Sequence, residues 1–280
     1  MAKVKVTKSL NNNVLIGNHS TFGEVVLIGR GIGFNRKKGD WINQQEVEKL
    51  FVLKDEKEQE SYLKLLPYME QPLVELTIKA IDLIRRTTDQ PLHEHIHVGL
   101  MDHLSFALTR IEKGMTMKNP FLAETKVLYP SEYAIAENVG ALIEEETGVS
   151  LPEGEIGFIT LHIHSAMQNK DLHDVNSHSR LITQLIELIE AQLDFNMDKD
   201  GADFMRLVRH LRFTIERVDK GEKVEEPIAI TKLLKQEYPV CYNLSWKLIK
   251  VMQQTLKKPV FDAEAVYLTM HLQRIGQKLK

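Results

Sequence analysis

The stretch His103-Leu-Ser-Phe-Ala-Leu-Thr-Arg-Ile-Glu-Lys-Gly114 decides how this chain is organised, because the sequence contains it twice. It returns 107 residues later as His210-Leu-Arg-Phe-Thr-Ile-Glu-Arg-Val-Asp-Lys-Gly221, with six of its twelve positions identical. A duplicated block headed by a histidine predicts two copies of one domain. At this point the histidine can still be a ligand, a nucleophile or a packing residue.

The duplication extends beyond this block, at an offset of 109. Tyr129-Pro130 returns as Tyr238-Pro239, and the set Glu155, Thr160 and His162 returns as Glu264, Thr269 and His271. Apolar residues recur three to five positions apart throughout this part of the chain, which indicates helices. We therefore expect two homologous all-α helical-bundle domains at 65–172 and 173–280. Each has one histidine in its first block and one in its last long helix.

The N-terminal part of the chain has a different pattern. Short apolar runs at 14–16, 25–28 and 51–53 are separated by asparagine and glycine turns, which predicts strands. We expect a small antiparallel β module at 1–60, followed by a charged linker that starts at Lys54. A module of this size buries little core by itself, so we expect it to pair with a second copy.

The β module is also basic. Residues 1–38 carry a net charge of +6, although the whole chain carries −3, and this asymmetry is typical of a polyanion-binding module on an acidic body. Phosphate contacts, amide groups, close backbone approach and a stacking ring are all available there. The residues that supply them are Lys5, Lys8, Asn11, Asn13, Gly29, Arg30 and Phe34. Nucleic acid is indicated, without a choice between RNA and DNA; a plain hairpin with a glycine bend is the alternative.

Composition restricts the class of protein. A length of 280 residues predicts about two domains, and 43% hydrophobic with 27% charged residues is ordinary for a globular chain. No apolar run approaches the ~20 residues that span a bilayer, so we expect no membrane insertion. The single cysteine, Cys241, excludes an internal disulfide framework, and we expect the cytoplasm.

The histidines allow more than one chemistry. His93, His95, His97 and His103 lie close in sequence, so one rival hypothesis is a metal-dependent hydrolase that uses this cluster. The chain has no H-E-x-x-H motif, and two residues that are two positions apart on a helix diverge by ~200°, which disfavours a joint site for His162 and His164. We expect no metal, no cofactor and no enzymatic activity.

The paired histidines suit a switch better than an enzyme. Glu155 precedes His162 by two helical turns, as Glu264 precedes His271, so each carboxylate could orient that imidazole, directly or through water. A neutral imidazole can accept a phosphoryl group, and the added charge can rearrange an interface. A DNA-binding activator with the same regulatory domains is a second rival, although the β module shows no helix-turn-helix pattern.

In this order of modules the chain resembles the BglG/LicT/SacY family of bacterial transcriptional antiterminators, over essentially its whole length. The motifs that carry the resemblance are Lys8-Ser-Leu-Asn-Asn-Asn13, Gly29-Arg-Gly-Ile-Gly-Phe34, Phe51-Val-Leu53, Asp102-His-Leu-Ser-Phe-Ala107, Glu155-Ile-Gly-Phe-Ile-Thr-Leu-His162, Arg209-His-Leu-Arg-Phe213 and Glu264-Ala-Val-Tyr-Leu-Thr-Met-His271. Leu92-His-Glu-His-Ile-His97, Met117-Lys-Asn-Pro-Phe-Leu122, Leu151-Pro-Glu-Gly-Glu-Ile-Gly157 and Gln254-Thr-Leu-Lys-Lys-Pro259 look most like the glucose-operon members.

The resemblance implies a function for each module. The β module would be a co-antiterminator domain that, as a homodimer, grips an RNA hairpin in a leader mRNA and prevents the terminator from forming. The family's RNA-contacting positions match Lys8, Asn11, Asn13, Gly29, Arg30 and Phe34. The helical domains would be regulation domains of the sugar phosphotransferase system, with phosphorylatable positions at His103, His162, His210 and His271.

For a glucose-type member, the resemblance implies negative control. The phosphorylated glucose permease would modify the first regulation domain and disable the RNA-binding dimer, and glucose would relieve this. The phosphocarrier HPr would be an optional donor to the second domain. The sequence does not decide which histidine dominates.

Overall fold

The computed structural model describes residues 4–29, 31–47, 49–51, 60–61, 64–65, 68–223 and 228–277. By its contacts the chain divides into two compact units, one of residues 1–117 and 134–170, the other of residues 118–133 and 171–280. The segment 118–133 thus has its contacts in the second unit. The domain boundaries expected from the sequence, 65–172 and 173–280, stay predictions.

The N-terminal module is a five-stranded antiparallel sheet with the strand order β4-β1-β2-β3-β5. The strands are β1 (Val4–Asn11), β2 (Val14–His19), β3 (Gly23–Ile28), β4 (Trp41–Ile42) and β5 (Lys49–Phe51). The antiparallel β module predicted from the sequence is confirmed. The short β4 was missed, since two residues carry no alternation, and Val52 and Leu53 of the predicted last strand lie outside the described residues.

Both faces of the sheet carry buried apolar side chains. One face forms a core of its own with the loops that follow, from Val4, Val6, Leu15, Val25, Leu27, Ile32 and Ile42. The other face presents Val14, Val26 and Ile28, and these pack against helical residues of the same unit. Helices of the same chain therefore cover this face of the sheet, and the expected pairing with a second copy of the module stays a prediction.

The helices of the first unit are α1 (Gln71–Thr87), α2 (His95–Glu112), α4 (Pro130–Thr147, which belongs to this unit from residue 134) and α5 (Glu153–Gln168). Val74 and Ile78 of α1 and Met101 of α2 are the side chains that cover the sheet. Gly140 lets α4 approach α5, because a Cβ at this position would collide with the Ile156 side chain. The helices α1 and α5 both pack on α2, which holds the unit together.

The second unit contains α3 (Leu122–Leu128), α6 (Leu172–Leu193), α7 (Ala202–Lys220), α8 (Ile228–Glu237), α9 (Pro239–Leu256) and α10 (Ala263–Gln277). Apolar residues at helical spacing on α7, including Phe204, Leu207 and Leu211, are fully buried in one core with α6, α9 and α10. The Asp171 side chain caps α6 by accepting from the His173 backbone N–H at 2.8 Å.

The helices confirm the duplication that the sequence indicates. The repeated block forms α2 in one unit and α7 in the other, and the residues Pro130 and Pro239 each begin a helix. The left-handed residues Gly114 and Gly221 follow the ends of α2 and α7. No helix in the described part of the chain is both long and apolar enough to cross a membrane.

The contact between the sheet and the helices predicts a shared stability. Replacing the buried Met101 by alanine removes contacts with both the sheet and the neighbouring helix. We therefore expect a loss of about 2–5 kcal/mol in the free energy of unfolding. The measurement is urea unfolding followed by Trp41 fluorescence in a Trp246→Phe background, so that the signal comes from the sheet.

The matched control is Met115→Ala, since Met115 is exposed and its loss should change the free energy of unfolding by no more than about 0.5 kcal/mol. An unchanged Trp41 transition in Met101→Ala would show that the sheet does not depend on the helices.

Candidate nucleic-acid interface and histidine sites

The turn between β1 and β2 and the loop after β3 meet at one end of the sheet. Asn13 donates its backbone N–H to the Asn11 side chain at 2.9 Å, and its own side chain accepts from the Gly31 N–H at 2.5 Å. The Gly33 N–H donates to the Asn12 carbonyl at 2.8 Å. These hydrogen bonds hold the two segments in one fixed surface, and they use the asparagines as structural links as well as possible ligands.

Gly33 is a residue of this surface that the sequence analysis did not single out. A Cβ at Gly33 would lie 2.0 Å from the backbone carbonyl oxygen of Asn11, so no other residue fits without moving the loop. The Ser9 hydroxyl also donates to the Gly33 carbonyl, at 3.2 Å. The Gly-rich string could have suggested such a close approach, but it could not show which backbone was approached.

The structure brings together most of the predicted RNA-binding residues. Asn11, Asn13, Gly29 and the exposed ring of Phe34 lie at this end of the sheet, with the exposed Lys8 along the adjoining strand. Arg30 lies outside the described residues.

Lys5 lies apart from this surface. It is six residues from Asn11, about 20 Å along the strand, and its ammonium lies 6.0 Å from the Trp41 ring centroid. The fold thus separates Lys5 from the other predicted contacts.

The first histidine pair joins α2 to α5. The ring centroids of His103 and His162 are 5.2 Å apart, and His103 Nε2 lies 3.2 Å from Glu155 Oε2. Arg110, two turns after His103, donates from Nη2 to Glu155 Oε1 at 2.9 Å. Glu155 is buried, so its charge is compensated by the arginine and the imidazole of the facing helix.

The partner of this carboxylate differs from the expectation. The sequence analysis assigned Glu155 to His162, but the structure places it against His103. Residues seven positions apart share a helical face but are separated by about 10 Å along the axis, so Glu155 cannot reach His162 directly. His103, on the facing helix α2, lies at the level of Glu155 along α5 and contacts it instead.

The second pair repeats the arrangement on α7 and α10. The rings of His210 and His271 are 4.6 Å apart, and Arg217 grips Glu264 with hydrogen bonds of 2.7 and 2.9 Å. Thr214 also donates to Glu264 Oε2, at 2.9 Å, and His210 Nε2 is 3.9 Å from that oxygen. In the first domain the position of Thr214 is held by Ala107, so only the second carboxylate has this extra donor.

Burial favours the neutral form of one imidazole in each pair. Burial lowers the pKa of His162 to about 3, with further lowering by the charges of His103 and His95. Burial lowers the pKa of His210 to about 3 as well, helped by His271 and Arg217. Burial alone would raise the pKa of Glu155, but the neighbouring His103 and the hydrogen bond from Arg110 outweigh it and lower that pKa. At neutral pH His162 and His210 are therefore neutral imidazoles with a free lone pair, and Glu155 is ionised.

The other histidines of the first domain do not join these pairs in a metal site. His93 and His95 contact each other through their Nδ1 atoms at 3.1 Å, and His95 Nε2 lies 3.0 Å from the Ser165 hydroxyl. His97 is buried, and burial lowers its pKa to about 4. Among the residues that the structure describes, no group of three or more His, Cys, Asp or Glu is placed to hold a metal ion.

Arg110 and Arg217 are functional residues that the sequence analysis quoted but did not assign. Their signal was available, because the arginine is one of the six identical positions of the repeated block. Gly99 had no such signal: a Cβ there would lie 3.0 Å from His162 Nδ1, so the glycine makes room for that ring.

Comparison with family models assigns both kinds of module. A model described as CAT RNA binding domain matches residues 4–60, and a model described as PRD domain matches residues 78–166 and 183–275. The second model thus matches twice, once for each histidine pair.

Whole-chain relatives agree with this division. The chain is 54% identical over 274 residues to the PtsGHI operon antiterminator of Bacillus subtilis (strain 168), covering 98% of each chain. It is 37% identical over 280 residues to the GlcA/glcB genes antiterminator of Staphylococcus carnosus (strain TM300), covering 99% of this chain and 98% of the relative.

A solved structure, the crystal structure of GlcT CAT-PRDI, matches 60% of this chain and 99% of its own, with 53% identity and a TM-score of 0.53. Its title pairs the same two kinds of domain that the family models find in residues 4–166. The chain therefore belongs to the BglG/LicT/SacY family of transcriptional antiterminators, in which a CAT RNA-binding domain is followed by two PRD domains.

Proposed function

We propose that this antiterminator binds an RNA hairpin in the leader mRNA of a glucose phosphotransferase operon, and that phosphorylation of its paired histidines controls this binding. The names of its relatives, which refer to the ptsGHI operon and the glcA and glcB genes, support the choice of operon. As a regulator of leader transcripts it would work in the cytoplasm, without insertion in a membrane.

The RNA contact would use the surface formed by the β1–β2 turn and the loop after β3. Asn11 and Asn13 offer amide groups, Phe34 offers a ring that is 63% exposed, and Lys8 can meet phosphate. We include Arg30 and Lys5 in the proposal on their sequence positions. The arrangement favours a single-stranded or bulged part of a hairpin, because unstacked bases can then reach the exposed ring.

The observation that carries the proposal is the position of His103 on α2. Met101, two residues before it, packs against the sheet of the RNA-binding domain, and Arg110, two turns after it, holds Glu155. One helix therefore touches the RNA-binding module on one side and carries the phosphate acceptor on the other. A change of charge at His103 can shift the support of the sheet without any further element.

The acceptor chemistry needs an imidazole nitrogen with a free lone pair. The ring nitrogen lone pair forms the new N–P bond, the bond from phosphorus to the donor breaks, and its electron pair stays with the donor. The product adds about 1.5 to 2 negative charges at pH 7. At His103 this charge arises beside the buried Glu155, so repulsion between the two groups is built into the site.

The donors would be phosphotransferase proteins: the glucose-specific permease at His103 and His162, and HPr at His210 and His271. Phe106 and Phe213 occupy the same repeat position one turn after His103 and His210, and their side chains are 60% and 58% exposed. Exposed phenylalanines beside each acceptor support docking of a protein donor. We retain the homodimer as the RNA-binding form.

Asn11→Asp tests the RNA surface. The new carboxylate still accepts from the Asn13 N–H, so the turn is kept, but the amide donor is lost and a negative charge faces the RNA. We expect affinity for the leader hairpin to fall about tenfold or more, since one base contact contributes about 1–3 kcal/mol. Gel shift or fluorescence anisotropy on the full chain measures this.

The matched control is Asn196→Asp, an exposed asparagine of the second unit, which should bind the hairpin as the parent does. Equal loss in both variants would mean that charge alone, and not the Asn11 surface, decides binding. Equal binding of duplex DNA and the RNA hairpin would contradict the proposed function.

His103→Asp tests the sign of control. The aspartate imitates the charge of the phosphorylated state beside Glu155, so we expect antitermination in a leader-reporter strain to fall several-fold. Thr109→Asp is the control, because it adds the same charge to an exposed position of the same helix. Full activity of His103→Asp in the absence of glucose would move the inhibitory position to His162.

Mass spectrometry after phosphotransfer is the direct test of the acceptors. Purified permease domain and purified HPr are supplied separately to the full chain, and the modified histidines are mapped. We expect phosphate on His103 or His162 from the permease and on His210 or His271 from HPr, with loss on substitution of the acceptor by alanine. The absence of phosphate from all four would end the proposal of control by phosphorylation.

A further inference from the structure

The two histidine pairs lie on the same scaffold but in different surroundings. Around His210 and His271 the second domain carries Asp203, Arg206 and Arg274, and the repeat offsets place Ile96, Gly99 and Ser165 at these positions in the first domain. A complete group of three charged residues is therefore present at one pair and absent from the other.

These three residues form one network beside the second pair. Arg206 lies one turn before His210 on α7, and its Nη1 is 3.7 Å from Asp203 Oδ1. Arg274 lies three residues after His271 on α10, and its Nη2 is 3.0 Å from the same oxygen. The carboxylate of Asp203 thus holds two guanidinium groups, from two helices, at one point.

The arginines of the network act on His271. Burial lowers the pKa of His271, and the charges of Arg274 and Arg206 lower it further, against the opposing charge of Asp203. At His162, the equivalent residue, the neighbouring charges come from His103 and His95, with no arginine. Arg206 and Arg274 each lie one helical turn from a histidine of the pair, His210 and His271 respectively, and residues at this spacing are neighbours on a helix surface.

The network retains donors for another acceptor. The Nε–H of Arg274 is buried and has no hydrogen-bond partner among the described residues, and the Arg206 side chain is 58% exposed. Arg217 in contrast donates from both Nε and Nη2 to Glu264. With Arg217 included, the second pair has three arginines against Asp203 and Glu264, whereas the first has Arg110 against Glu155.

We infer that an oxyanion site lies beside the second pair, in which Arg206 and Arg274 bind a phosphate group. Asp203 is the partner of both arginines when no phosphate is bound. A guanidinium fork matches phosphate oxygens, and a pair of forks from two helices matches them better than one. The phosphate is either a free ion or the group carried on His271 or His210; the second case rests on the proposed function.

This site gives the same modification two different consequences. A phosphate at His271 replaces Asp203 as the partner of Arg206 and Arg274, which neutralise its charge. Because these arginines lie on α7 and α10, the phosphate links the two helices. A phosphate at His103 lies beside Glu155, and neither of these arginines is present in the first domain.

The free ion is tested first, on the full chain. Inorganic phosphate is titrated at constant ionic strength with chloride as the balancing ion, and the histidine ring signals are followed by NMR. We expect saturable shifts at His210 and His271 only. Arg206→Ala and Arg274→Ala should each weaken binding about tenfold, the loss expected for a charge-assisted pair. Arg209→Ala, on the same helix but outside the network, should bind as the parent does.

Asp203→Asn separates a ligand site from a merely structural ion-pair network. Removal of the competing carboxylate should tighten phosphate binding several-fold, whereas a structural network would lose stability and bind no better. Shifts that are linear in phosphate, or equal at both histidine pairs, or unaffected by both arginine substitutions, would overturn the inference.

The covalent case is tested with phosphoramidate, a chemical phosphoryl donor that needs no protein partner. We expect phosphate on His271 or His210 to hydrolyse several-fold more slowly in the parent than in Arg206→Ala with Arg274→Ala. An equal rate would overturn the inference for the bound group and leave the proposed function standing. Failure of all protein donors with intact binding of free phosphate would do the reverse.

Discussion

A buried carboxylate is the constraint on which each helical domain depends. Glu155 and Glu264 are almost completely excluded from water, and an uncompensated charge in such a place costs several kcal/mol. Arg110 and Arg217 compensate this charge from the facing helix. His103 and His210, two helical turns before these arginines, complete each group. The last helix, the repeated helix and the imidazole are thereby held in one geometry, so a new charge on the imidazole must be felt by both helices.

The two copies share this frame and differ in what surrounds it. Thr214 adds a donor to the second carboxylate, where the first domain has Ala107, and His103 lies closer to its glutamate than His210 does. The arginine network is confined to the second copy, and the glycine that admits His162 is confined to the first. Duplication has therefore preserved the histidine pair and its buried carboxylate, while the charged residues around them have diverged.

The first unit also shows how a regulatory helix can reach the RNA-binding sheet. Val14, Val26 and Ile28 need an apolar cover, because a sheet that is hydrophobic on both faces cannot leave one of them in water. In this structure α1 and α2 supply that cover, and α2 is the helix that carries His103. The helix that carries His103 therefore also contributes to the core that covers the sheet.

The sequence by itself determined the modules, the duplication and the positions of the four histidines, because strand alternation, helical spacing and a repeated block are all local patterns. It also supplied Asn11, Asn13 and Phe34 as candidate nucleic-acid contacts, since they lie in turn segments of a basic module. Only the tertiary structure decided that Glu155 faces His103, that Lys5 lies far from Asn11, and that the sheet is covered by its own helices. Each of these depends on the distance between residues on different elements, and periodicity along one element carries no information about the neighbour it will meet.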